Sequence, residues 1–126
     1  DLMFLKQKVD AGAGYVVTQM FFDNSKYFEF VENCRRIGIN VPIIPGIKPL
    51  LTKNQLSILP KVFHVDIPTE LAMEVIKCQS DNEVKELGVK WAVEQCKELI
   101  KAQVPSIHFY SLNATQSVKK IAKQVY

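Results

Sequence analysis

The feature that most constrains this chain is a repeated switch in apolar period, from helical spacing to short continuous apolar runs and back, three times in 126 residues. Leu2, Leu5 and Val9 recur at spacings of three and four, which predicts an amphipathic helix stopped by Gly12 and Gly14. Tyr15 to Phe22 (YVVTQMFF) is β-branched and aromatic, with Gln19 its one strongly polar member, and reads as a parallel strand covered on both faces. Asp23 or Asn24 can cap a second helix, whose buried stripe is Tyr27, Phe28, Phe30, Val31 and Cys34, before Gly38 ends it. Val41 to Ile47 (VPIIPGI) is a second strand, with a kinked or partly unpaired exit because of its prolines.

The remaining elements follow from caps and breakers. The spacing of Thr52 to Gln55 fits a capping box for a helix over roughly Lys53 to Leu59, and Pro68 precedes a short helix around Glu70 to Ile76. Ser80 to Glu83 (SDNE) is a second box ahead of a long helix through about Ala102. Pro105 closes it, Ser106 to Leu112 (SIHFYSL) reads as a third strand, and Asn113 is expected to cap a terminal helix carrying Val118, Ile121 and Val125.

A helix followed by three strand-to-helix units predicts an α/β fold with parallel strands and right-handed crossovers. Three strands do not complete it: a closed (β/α)8 barrel takes roughly 250 residues. The expectation is a single partial domain over 1–126 whose open sheet edges are covered by a missing N-terminal half or by self-association into a homo-oligomer. The start at Asp1 inside a helix also reads as a fragment. Composition, 48% hydrophobic and 23% charged, is that of an ordinary globular protein. No apolar run is long enough to span a bilayer, and a net charge of only +3, spread along the chain, argues against a nucleic-acid face. Cys34, Cys78 and Cys96 have neither metal-pair spacing nor an even count, so they read as reduced thiols of a cytoplasmic protein.

In such folds reactive groups collect at the carboxyl ends of strands. That selects Gln19 with Phe21, Phe22 and Asp23; then Pro45 to Gln55; then Tyr110 to Asn113. Strand alternation places Tyr15, Val17, Gln19 and Phe21 on one face, and the Gln19 amide, both donor and acceptor, suits a pterin or carboxamide edge. It equally suits satisfying neighbouring backbone groups. His108 reads more readily as a hydrogen-bonded core or second-layer residue than as a catalyst, and His64 as a loop residue without a paired metal ligand. The DAGAG stretch follows a helix and precedes a strand, the reverse of a dinucleotide fingerprint, and is a helix stop. Asp1 and Lys8 lie two turns apart on one helix face, where exposure to solvent is the default reading and contact with a ribose and a phosphate the other.

Taken together, Asp1 to Asp23 with its TQ-x-FFD, Gly38 to Pro49 with its PGI-x-P, the segment WAVEQCKELI and Ile107 to Asn113 (IHFYSLN) resemble the C-terminal half of the methylenetetrahydrofolate reductase family. The resemblance extends over essentially the whole chain. It implies a partial TIM barrel containing the last three of eight strands, and FAD-dependent reduction of 5,10-methylenetetrahydrofolate by NADH or NADPH. It implies that Gln19 and Gln55 contact the folate and that Asp1 and Lys8 sit on the helix holding the ribose and phosphate part of FAD. Where the family commonly reads LNR this chain reads LNA, with Ala114 in place of a folate-binding arginine. The proton donor and the Arg-Gly-Asp type flavin motif are implied to lie in the first half, so no catalytic residue is expected here. The other class of reading is a non-catalytic half-barrel binding module that self-associates.

Overall fold

The computed structural model describes all residues, Asp1–Tyr126. The first helix, α1 (Leu2–Asp10), is capped by Asp1, whose carboxylate accepts from the Met3 N–H at 2.9 Å. It turns out through Gly12 at φ +123°, a conformation that favours glycine. There follow β1 (Val16–Met20), α2 (Asn24–Arg36), β2 (Ile43–Ile47), α3 (Gln55–Phe63), α4 (Thr69–Lys77), α5 (Asp81–Lys101), β3 (His108–Phe109) and α6 (Thr115–Val125). The three strands form one parallel sheet in the order β1-β2-β3. The expected element order and parallel pairing are both found.

Three local expectations change. Thr52 does not cap α3: Asn54 precedes that helix without a side-chain cap bond, and Gln55 Oε1 instead accepts from the Leu51 N–H at 2.7 Å. The helix also runs past Leu59 through Pro60 to Phe63, because Leu59 and the following Val65 both bury in the core beside it. Asn113 does not cap α6 but takes a left-handed turn at φ 60°, so Ala114 stands at the cap position with no side-chain bond. The Ser80 cap does form, its hydroxyl accepting from the Glu83 N–H at 3.3 Å, while the Glu83 carboxylate reaches one residue past the cap and accepts from the Gln79 N–H.

The sheet is covered on one face, not two. Ile43 and Ile47 of β2 pack with Tyr27 and Cys34 of α2, Val93, Cys96 and Leu99 of α5, and Ile121 of α6. Tyr15, just before β1, is 62% exposed and Val17 within it 37%. A strand buried on both faces needs a second layer, and this chain has helices for only one. The third strand, expected over Ser106 to Leu112, shortens to two residues at the other edge of the sheet.

A second apolar cluster sits at the carboxyl end of the sheet. Met20 at the end of β1, with Phe22 and Leu50 just beyond the strands, meets Leu59 and Val65 near α3, Leu71 and Val75 of α4, and Val84 of α5. The α3–α4 excursion thus folds back over the strand ends. Gly88 of α5 lies against Leu50 so closely that a Cβ there would stand 2.3 Å from the Leu50 carbonyl oxygen. This contact fixes the loop that leaves β2.

Candidate functional site at the carboxyl ends of the strands

The β1–β2 ladder is irregular where the sequence is most polar. Val17 pairs with Ile44 and Met20 with Gly46, so Thr18 and Gln19 together face Pro45 alone. This is a β-bulge, one extra residue on β1. Its position follows from Pro45, which lacks an N–H and cannot complete a ladder in a central strand. The one-residue slip reverses the alternation beyond it: Phe21, expected on the face of Val17 and Gln19, turns to the helix side and stacks on Tyr27 at 5.6 Å. Gln19 itself remains exposed.

The bulge is held by three hydrogen bonds. The Gly46 N–H donates to Thr18 Oγ1 at 2.9 Å, and Thr18 Oγ1 donates to the Gln19 carbonyl at 2.9 Å. The Tyr110 hydroxyl donates to the Thr18 carbonyl at 2.7 Å. For the ring to reach across β2, the central strand must have no side chain in its path. A Cβ on Gly46 would lie 2.6 Å from Tyr110 Cε2 and 2.7 Å from the Thr18 oxygen. Burial pushes the Tyr110 hydroxyl above its usual range, so it keeps its proton at neutral pH. The His108 side chain is exposed and stands edge-on to the Tyr110 ring at 4.6 Å without a hydrogen bond, so it is not the hydrogen-bonded core residue expected.

The four residues singled out from the sequence occupy separate places. Gln19 Oε1 accepts from the Met20 N–H at 3.2 Å and its Nε2 makes no bond within the chain. The Gln55 Oε1 is engaged with Leu51, leaving its Nε2 free likewise, and no hydrogen bond joins the two glutamines. Asp1 is the α1 cap, with one carboxylate oxygen on Met3. Lys8 lies 4.7 Å over the Phe4 ring and has no carboxylate partner. Lys48, just after β2, is half-buried and also lacks one, and burial holds its ammonium below the ordinary lysine range. Ala114 is buried.

Sequence reasoning missed the polar ties that bring α5 to the end of β1. Asn24 Nδ2 donates to the Glu98 carboxylate at 2.7 Å and to the Gln95 carbonyl at 3.1 Å. Gln95 Nε2 donates to the Phe21 carbonyl at 3.2 Å and to Asn24 Oδ1 at 3.1 Å, leaving Gln95 Oε1 buried without a partner. These groups line a groove of about 950 Å³ between α2, α4 and α5, on the helix side of the sheet. No spacing rule links residues more than seventy apart. The Gly46–Tyr110 contact left one readable sign, a glycine inside an apolar strand.

A parallel sheet open on one face, with its polar groups gathered around a bulge at the strand ends, defines part of a TIM-barrel-like α/β protein. The model of the methylenetetrahydrofolate reductase family matches residues 1–126, and the chain belongs to that family. It is 43% identical over 119 residues to methylenetetrahydrofolate reductase (NADH) 1 of Arabidopsis thaliana, covering 93% of this chain and 20% of that protein. A probable NADPH-dependent methylenetetrahydrofolate reductase of Caenorhabditis elegans is 39% identical, over 99% of this chain and 19% of its own length. The 5,10-methylenetetrahydrofolate reductase of Salmonella typhimurium is 38% identical, over 92% of this chain and 40% of its own length. The chain therefore spans about a fifth of the plant and nematode relatives and two fifths of the bacterial one. In fold it is similar, at a TM-score of 0.59 and 19% identity, to a Clostridium thermocellum protein described as binding two copies of 5-methyl-5,6,7,8-tetrahydrofolic acid; the likeness covers 96% of this chain and 45% of that one.

Proposed function

We propose that this chain supplies the last three strands of the catalytic barrel of a cytoplasmic, FAD-dependent methylenetetrahydrofolate reductase, and that it is inactive without the other half. The observation that carries the reading is the coincidence of a family match over the whole chain with an open sheet face. In a barrel of eight strands the exposed Tyr15 and Val17 row would line the interior, and the bulged end of β1 its mouth. A homo-oligomer is part of the same proposal.

The residues at that mouth have the chemistry a folate needs. The free Nε2 of Gln19 can donate to a pterin while its Oε1 keeps a lone pair available beside the Met20 bond. Gln55 offers a second free amide at the start of α3. The helix α1 also fits the ribose and phosphate part of FAD. Lys8 has no carboxylate partner to displace, and Asp1 has a carboxylate oxygen beyond the one that caps α1. When bound, FAD supplies the redox chemistry, passing reducing equivalents from NADH or NADPH to methylenetetrahydrofolate, while the chain binds and orients the partners.

The test is the visible spectrum of the protein expressed from the complete reading frame containing this segment. A flavin spectrum bleached by NADH or NADPH and restored by methylenetetrahydrofolate is the expected result. A colourless protein that fails to take up added FAD would sink the reductase reading and favour a self-associating binding module.

A further inference from the structure

We infer that Tyr110 is a positioning residue that sets the presentation of Gln19 at the mouth of the sheet, acting through the Thr18 carbonyl. The inference rests on the reading of Gln19 as a folate contact and adds a residue from a different strand end. Its physical basis is the planarity of the peptide group. The Thr18 carbonyl and the Gln19 N–H share one rigid plane, so the bond from the Tyr110 hydroxyl at 2.7 Å fixes the direction in which Gln19 leaves the chain. The plane on the other side of Gln19 is fixed as well, because its own carbonyl accepts from Thr18 Oγ1 at 2.9 Å. Gln19 is thus bracketed by two held peptide planes at a bulge, where the ladder itself no longer holds it.

Two further observations show that this arrangement is built. Gly46 leaves open the path that the Tyr110 ring crosses, which any larger residue would block. The Gly46 N–H is bonded by the Thr18 hydroxyl at 2.9 Å, so the bulge, the glycine and the tyrosine form one connected unit across all three strand ends. The one proton of the Tyr110 hydroxyl is committed to the Thr18 carbonyl, so Tyr110 cannot donate to a bound folate and acts on affinity through Gln19.

The experiment is a double-mutant cycle on the complete protein, with Gln19→Ala, Tyr110→Phe and both together, reading the dissociation constant for 5-methyltetrahydrofolate by calorimetry. Each single change is expected to weaken binding about fivefold, the worth of one lost hydrogen bond. The double variant is expected to be no weaker than Gln19→Ala alone, since a positioning residue has nothing left to position. A silent Tyr110→Phe beside an effective Gln19→Ala would overturn the inference and leave the Gln19 reading standing. Full additivity, about 25-fold in the double variant, would overturn it too by making Tyr110 independent of Gln19. A silent Gln19→Ala would remove the folate role of Gln19 and the inference with it. If Tyr110→Phe fails to fold, Tyr110→Leu, which also removes the hydroxyl that donates to the Thr18 carbonyl, takes its place with the same criteria.

Discussion

The indole Nε1–H of Trp91 donates to the Phe22 carbonyl at 2.8 Å, fastening the middle of α5 to the segment leaving β1 across 69 positions of sequence. The bond is part-buried, beside the groove that Phe22 and Trp91 both line. Trp91→Phe is expected to cost about 1 kcal/mol, the typical worth of one hydrogen bond. The check is the urea unfolding midpoint, which should fall with an unchanged m-value. An unmoved midpoint would mean that another group takes over the acceptor.

Gly88→Ala sets two effects against each other. Alanine favours a helix interior by about 1 kcal/mol over glycine. The added Cβ, however, would stand 2.3 Å from the Leu50 oxygen and 2.9 Å from the Leu50 nitrogen, both backbone atoms that cannot rotate away. Overpacking of about 1–3 kcal/mol should win, giving a net loss of stability. Since Leu50 opens the loop leading to Gln55, hydrogen exchange over residues 49–56 should speed up in the variant. A more stable Gly88→Ala protein would contradict this packing.

The three thiols should respond very differently to a thiol reagent. Cys34 and Cys96 are buried in the core, and burial pushes the Cys96 thiol up to about 11 and raises Cys34 too. Cys78 is only partly buried, at the end of α4. Native protein at pH 8 is expected to label at Cys78 alone, with the other two reacting only on unfolding. Mass mapping that finds Cys96 among the fast sites would refute the core assignment.

Asp23 caps α2, its carboxylate accepting from the Ser25 N–H at 2.9 Å and the Ser25 hydroxyl at 2.7 Å. These bonds, the hydroxyl first, hold it below the ordinary value of 3.8. A folded-state value lower than the unfolded one stabilises above the unfolded value and loses that stabilisation as pH falls toward the folded one. Asp23→Ala should therefore cost about 1 kcal/mol at pH 7, and the gap to the parent should narrow as pH is lowered through 3.8. A gap independent of pH would mean the carboxylate charge plays no part.

The element order was legible because each helix and strand declares itself by period and punctuation over a few neighbours. The Ser80 cap, the Gly12 and Gly38 stops and the buried stripe of α5 all depend on residues within one or two turns. The misreadings at Thr52 and Asn113 arose where a local cap signal met tertiary demands: Gln55 was drawn to Leu51, and Asn113 to a left-handed turn.

By itself, the sequence determined a parallel three-stranded α/β fold, a family membership spread over the whole chain, and the strand ends where polar groups gather. Only the tertiary structure decided which way those groups face. A one-residue bulge opposite Pro45 reverses the side-chain parity of β1, sending Phe21 to the core and leaving Gln19 at an exposed, doubly pinned turn. Parity depends on hydrogen bonds between strands, and the bonds that fix it here join Thr18 to Gly46 and to Tyr110, 28 and 92 residues away. No pattern confined to neighbouring residues can register such a contact.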